Sequence, residues 1–135
     1  MPRTARRTYG VNRDSWTVLA DILTGRTVNG DYEYGPVDFN PDTASLRGRN
    51  ERNPDTGRMP EEDARILRGH RQAGGIRYVI YSYNTPIAYL TVGMAQGRGV
   101  SKWIVPDARY SVTTSKHQGR VRPAVARASE RGLAA

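Results

Sequence analysis

His117 stands between Lys116 and Gln118, one residue beyond Thr113-Thr114-Ser115. An imidazole titrates near neutrality, so beside three hydroxyls it could act as a general base. A helix start at this point would further disfavour its protonated form. That chemistry also needs an orienting acid, and the nearest one before it in sequence is Asp107. Three hydroxyls and one imidazole without triad spacing do not make a nucleophilic site. A hydrolase-like enzyme centred on His117 is therefore the least favoured reading. In the favoured one, Thr114 or Ser115 caps a helix, His117 packs over a sheet, and the protein is not an enzyme.

The same segment suits anion binding better. Free amides at a helix start, with the side chains of Lys116, His117, Arg120 and Arg122 around them, could hold a phosphate. Continued as a helix, the segment places Lys116, Arg120, Arg127 and Arg131 within about 60° of one another at 100° per residue. Upstream, Tyr78, Tyr81, Tyr83 and Tyr89 sit in a β-favouring stretch. Tyr81, Tyr83 and Tyr89 could offer an aromatic surface on which unpaired bases stack, if one sheet face stays open for want of helices to cover it. The competing reading makes these tyrosines core and cross-strand partners.

Other chemistries are excluded by what is missing. The chain has two His and no Cys, and its acidic cluster Glu61-Glu62-Asp63 is explained by a helix start, so no metal site is expected. Gly97-Arg98-Gly99 lacks the Lys and Ser/Thr of a phosphate-binding loop, and no cofactor is expected. No apolar run approaches the length needed to cross a bilayer, and the basic N-terminus is followed by no apolar stretch.

The net charge of +8 is segregated along the chain. Residues 1–30 carry five Arg and two Asp, residues 31–63 four Arg and nine acids, and residues 64–135 twelve Lys or Arg and two acids. A basic second half can attract phosphates while the acidic middle shields it or folds against it. Of the 21 basic residues 19 are Arg, a bias that GC-rich codons would also produce.

The elements that must position these residues follow from capping and periodicity. A length of 135 residues with 37% hydrophobic content fits one domain, residues 1–135, with one modest core. Residues 1–10 are basic and poor in apolar side chains, and are expected to be a mobile arm. Asp14-Ser15 followed by Trp16, Leu19, Ala20 and Leu23 predicts a helix over 14–24, ended by Gly25. Residues 25–59 show no sustained period, and Arg47 to Arg58 reads as an exposed loop. Pro60 with the acids after it predicts a short helix closed by Gly69.

Ile76 to Tyr83 is the most β-favouring run and reads as a central strand, apolar on both faces. Asn84-Thr85-Pro86 turns the chain into a second strand, Ile87 to Val92. Gly93 to Gly99 reads as a flexible tip, Trp103 to Val105 as a third strand, and Arg109 to Thr113 as a fourth. Ser115 to Gln118 matches a capping box for a last helix, in which Pro123 should cause a kink or break. The fold class is α+β: a small antiparallel β-meander over about residues 76–113, flanked by an N-terminal and a C-terminal helix. Trp103, Tyr78, Ile80, Ile87, Leu90 and Val112 are the expected core.

Tyr81-Ser82-Tyr83-Asn84-Thr85-Pro86-Ile87-Ala88, Trp103-Ile104-Val105-Pro106-Asp107 and Tyr110 to Arg122 together resemble an uncharacterised family of small actinobacteriophage and prophage proteins. The resemblance covers about residues 76–127, and Ser45-Leu46-Arg47-Gly48 is similar to a Gly-containing loop of that family. It implies a phage origin and the cytoplasm of a bacterial host, and no particular activity, and the favoured reading is a small accessory or regulatory binding protein. The leading partner is nucleic acid, met by the basic second half. The alternative is a host protein that this one inhibits or redirects, which would call for an apolar surface patch.

Overall fold

The computed structural model describes residues 15–24, 36, 38–39, 46–95, 98–107 and 112–134. The expected arm at residues 1–10 lies outside them. In chain order the elements are helix α1 (Ser15–Thr24), strand β1 (Leu46–Asn50), helix α2 (Glu61–Gln72), strands β2 (Ile76–Ser82), β3 (Thr85–Ala95) and β4 (Arg98–Ile104), and helix α3 (Val112–Ala134). The four strands form one antiparallel sheet in the order β1-β2-β3-β4. The fold is α+β with a β-meander, as the sequence predicts.

The meander differs from the expected one at both ends. Its outer member on that side is β1, within the stretch that reads as a loop, while residues 109–111 of the expected fourth strand lie outside the described residues. Val112 and Thr113 already belong to α3. β1 is polar apart from the buried Leu46 at its start, and its pairing rests on fit. Gly48 exchanges backbone hydrogen bonds with Phe39 at 2.9 and 3.0 Å, and a Cβ there would overlap both the Phe39 ring and the Tyr78 hydroxyl. The supposed tip at 93–99 is mostly strand, since Ala95 pairs with Arg98 across a two-residue connection. The expected Trp103–Val105 strand accordingly begins at Arg98 and ends at Ile104.

Both faces of the sheet are covered. On one, α1 and α3 pack against each other and bury Leu19, Leu23, Val121 and Val125 over Leu46, Tyr78, Ile80, Ile87 and Leu90. On the other, α2 lays Ala64 and Leu67 over Ile76, Val79, Tyr81 and Tyr89, with Met59 beside them. Strand alternation divides β2 in this way, and the irregularity between Ile76 and Tyr78 lets both be buried on opposite faces. Of the expected core, Tyr78, Ile80, Ile87 and Leu90 are buried, whereas Trp103 is half-buried with its ring edge-on to Tyr78 at 5.9 Å. The side chains of Trp16 and Val112 lie outside the described residues.

α2 runs through Gly69, where the sequence reading ends it. The stop is Gly74, whose φ of 71° is left-handed. Gly75 N donates to His70 O at 2.9 Å and Gly74 N to Arg71 O at 3.0 Å, the paired bonds of a Schellman ending. α3 runs through Pro123 without interruption. The carbonyl that loses its partner belongs to Gly119, which is exposed and can bond water instead.

Candidate functional site

Ser82 closes β2, and alternation with Tyr78 and Ile80 points it at the face covered by α3. There its Oγ meets Nδ1 of His117 at 2.7 Å. Ser82 is 1% and His117 7% exposed, so the pair is shut away from solvent. A neutral imidazole has one donor and one acceptor nitrogen, and the hydroxyl can serve either role toward Nδ1. Burial lowers the pKa of His117, and the nearby positive charge of Arg120 lowers it further. The expected cause, a helix start at Ser115, is not the one at work, because α3 begins at Val112 and His117 lies a full turn inside it. Asp107, the acid nearest before His117 in sequence, pairs with Arg122 at 3.2 Å instead.

Next to this pair the chain makes a two-residue turn, Tyr83-Asn84, between the Ser82 and Thr85 partners. Tyr83 has φ 59°, the one positive value at a non-glycine among the described residues. Two-residue hairpin turns of this kind favour Gly, Asn or Asp at such a position, and an L side chain there costs about 1–2 kcal/mol. The ring burial that could offset the cost is incomplete, since Tyr83 is 52% exposed. Its ring lies 6.1 Å from that of His117, tilted by 43°.

Contacts from two segments impose the turn. Arg47 of β1 donates from Nη1 to the Tyr83 carbonyl at 2.6 Å and from Nη2 toward Asn84 Oδ1 at 3.4 Å. The same guanidinium lies 4.7 Å above the Tyr81 ring, whose hydroxyl donates to Glu51 Oε1 at 2.5 Å. Burial, and then the bond to Glu51, raise the pKa of Tyr81. At the same turn Arg58 N donates to Thr85 Oγ1 at 2.9 Å, and Gly57, at φ 54°, leaves no room for a Cβ against the Asn84 carbonyl.

The predicted basic stripe survives in part. Lys116, Arg120 and Arg127 are exposed on one unbroken helix, while the side chain of Arg131 lies outside the described residues. Arg122 leaves the group: it points toward Asp107 and donates to Pro106 O at 3.4 Å, tying α3 to the segment after β4. The aromatic surface is corrected more sharply. Tyr81 and Tyr89 are buried under α2, on the sheet face opposite α3, because that helix covers the face expected to be open. Tyr89 makes an edge contact with His70 at 6.0 Å. Tyr83 alone of the three is exposed.

Sequence reasoning missed Ser82 and Arg47. Period-two alternation was the available signal for Ser82, while nothing local marks Arg47 as a support for a turn far along the chain. Among the described residues no cluster of His, Cys, Asp or Glu could hold a metal ion, and no helix is long and apolar enough to cross a membrane. Two of the segments on which the phage-protein resemblance rests, 81–88 and 110–122, meet at the Ser82–His117 bond. No curated protein and no solved structure matches the chain. A family model does match, over residues 6–131, and the chain belongs to that Family of unknown function (DUF8033).

Proposed function

We propose that this is a small non-catalytic phage accessory protein that engages nucleic acid through α3 in the cytoplasm of its bacterial host. The observation that carries the reading is the continuity of α3 through Pro123. It keeps exposed Lys116, Arg120 and Arg127 in line over about 16 Å of helix, at about 1.5 Å per residue. Such a row matches the closely spaced charges of a nucleic-acid backbone, which position a protein without reading sequence. The phage setting rests on the resemblance of the segments around Ser82 and His117.

The closure of the Ser82–His117 pair supports a structural role for it: a bond that clips α3 to the sheet. A host-protein partner would call for an apolar patch, whereas the exposed large apolar side chains among the described residues, Ile66 and Tyr83, belong to different elements. The test is fluorescence anisotropy with duplex and single-stranded oligonucleotides at two salt concentrations, for the wild type and a Lys116→Glu/Arg120→Glu variant. Salt-sensitive binding that the reversal abolishes is the expected result. Absence of binding near physiological salt, or binding that the reversal leaves unchanged, would overturn the reading in favour of a host protein.

A further inference from the structure

We infer that Tyr83 is a stacking platform for an unpaired nucleobase, which makes single-stranded nucleic acid the preferred ligand of the α3 face. The inference rests on the nucleic-acid reading above and adds the substrate class. Three observations converge on it. Tyr83 holds a left-handed backbone that glycine would adopt freely, and its ring stays half in solvent. Strained residues persist where the surroundings impose them, and such sites concentrate where a chain binds or reacts. Here Arg47 grips the Tyr83 carbonyl and Asn84 while the Gly57–Arg58 segment abuts Asn84 and Thr85, so the ring is presented from a fixed support.

What the ring is presented beside is basic. It neighbours His117, which directly follows Lys116 and lies close enough to Arg120 to feel its charge. A base on Tyr83 would therefore lie beside the face of α3 that carries Arg120, with the Arg47 guanidinium bound to the same turn. A paired base has both faces covered by its neighbours in the stack and shows no face to a side chain, whereas an unpaired base does. The preference for single strands follows from that geometry, with no requirement for a particular base, since each has a π-face.

The test compares wild type, Tyr83→Gly and Tyr83→Trp on oligo-dT, oligo-U and a mixed-sequence duplex by fluorescence anisotropy. Tyr83→Gly suits the turn, so it should fold at least as stably as the wild type, as thermal denaturation would verify. It should weaken single-strand binding by about 5- to 150-fold, the range for losing one stacked base, and leave duplex binding unchanged. Tyr83→Trp, which keeps a stacking ring, should bind single strands at least as well as the wild type. The oligo-dT and oligo-U arms tell whether DNA or RNA is the better source of the unpaired base. Equal losses on single strand and duplex, or a Tyr83→Gly variant that binds single strands like the wild type, would overturn the stacking role while leaving the nucleic-acid reading in place. A wild type that binds none of the three probes would overturn both.

Discussion

Ser82 and His117 share a hydrogen bond of 2.7 Å between the end of β2 and the second turn of α3, both inside the protein. Removing either partner leaves a buried polar group short of one bond, at a cost of about 1–3 kcal/mol. We expect His117→Ala and Ser82→Ala each to lower stability in urea titrations by that amount. Their double variant should show a coupling of about 0.5–3 kcal/mol. Nucleic-acid affinity, corrected for the unfolded fraction, should stay the same in His117→Ala. A folded His117→Ala protein that had lost its function would revive the imidazole as a reacting group.

The same histidine sets a pH dependence. Its pKa is lowered in the folded protein, by burial first and by Arg120 second. An unfolded histidine titrates near about 6.5, so above that pH both states hold a neutral ring and the full stability is present. As the pH falls below it, the unfolded chain takes up a proton that the folded one refuses, and stability declines until the pH passes the folded pKa. The difference in unfolding free energy between wild type and His117→Ala should accordingly shrink as pH falls from about 6.5. A difference that is flat or grows over that window would contradict the assignment.

Gly48 and Gly74 should respond to alanine for different reasons. At Gly48 the new methyl meets the Phe39 ring and the Tyr78 hydroxyl, so overpacking of about 1–3 kcal/mol and a loosened β1 are expected. At Gly74 no atom lies within 4 Å, and only the left-handed backbone resists, which costs about 1 kcal/mol. Hydrogen exchange would tell them apart. Gly48→Ala should expose the amides of residues 46–50 preferentially, and Gly74→Ala the end of α2.

If Lys116, Arg120 and Arg127 each meet a duplex phosphate, log Kobs should fall against log salt with a slope of about −2.7, or −0.9 per contact. Lys116→Glu/Arg120→Glu should bring the slope toward about −0.9 and weaken all sequences alike. Arg122→Ala should leave the slope unchanged, because that side chain is engaged with Asp107 and Pro106. A slope that depends on Arg122 and not on Arg120 would place the contact surface elsewhere.

How much of this was legible depended on how local the deciding contacts were. β2 and β3 could be read from Ile76 to Val92 because their side chains carry β preference themselves. Leu46 to Asn50 could not, since after Leu46 the segment Arg-Gly-Arg-Asn has little β preference, and it pairs where Phe39 and Tyr78 close around Gly48. The start of α3 was misplaced because Val112-Thr113 has β preference, which the helix they belong to overrides. The exposure of Lys116, Arg120 and Arg127 follows from helical period alone, and the burial of His117 was likewise expected. The fate of Tyr81 and Tyr89 turned on whether α2 would reach their face, a matter of topology that strand pattern does not contain.

The packing of α1 against α3 also sets a schedule for synthesis. About 90 residues separate the two helices, so a ribosome adding 5–20 residues per second completes α3 on the order of 5–20 s after α1. The sheet and α2 can assemble in that interval, because every strand pairs with its neighbour in the sequence. The apolar side of α1 cannot find its partner until α3 has left the exit tunnel. Until then Leu19, Ile22 and Leu23 lack their α3 neighbours, and the nascent chain carries an adhesive patch that chaperones or a second nascent copy can reach.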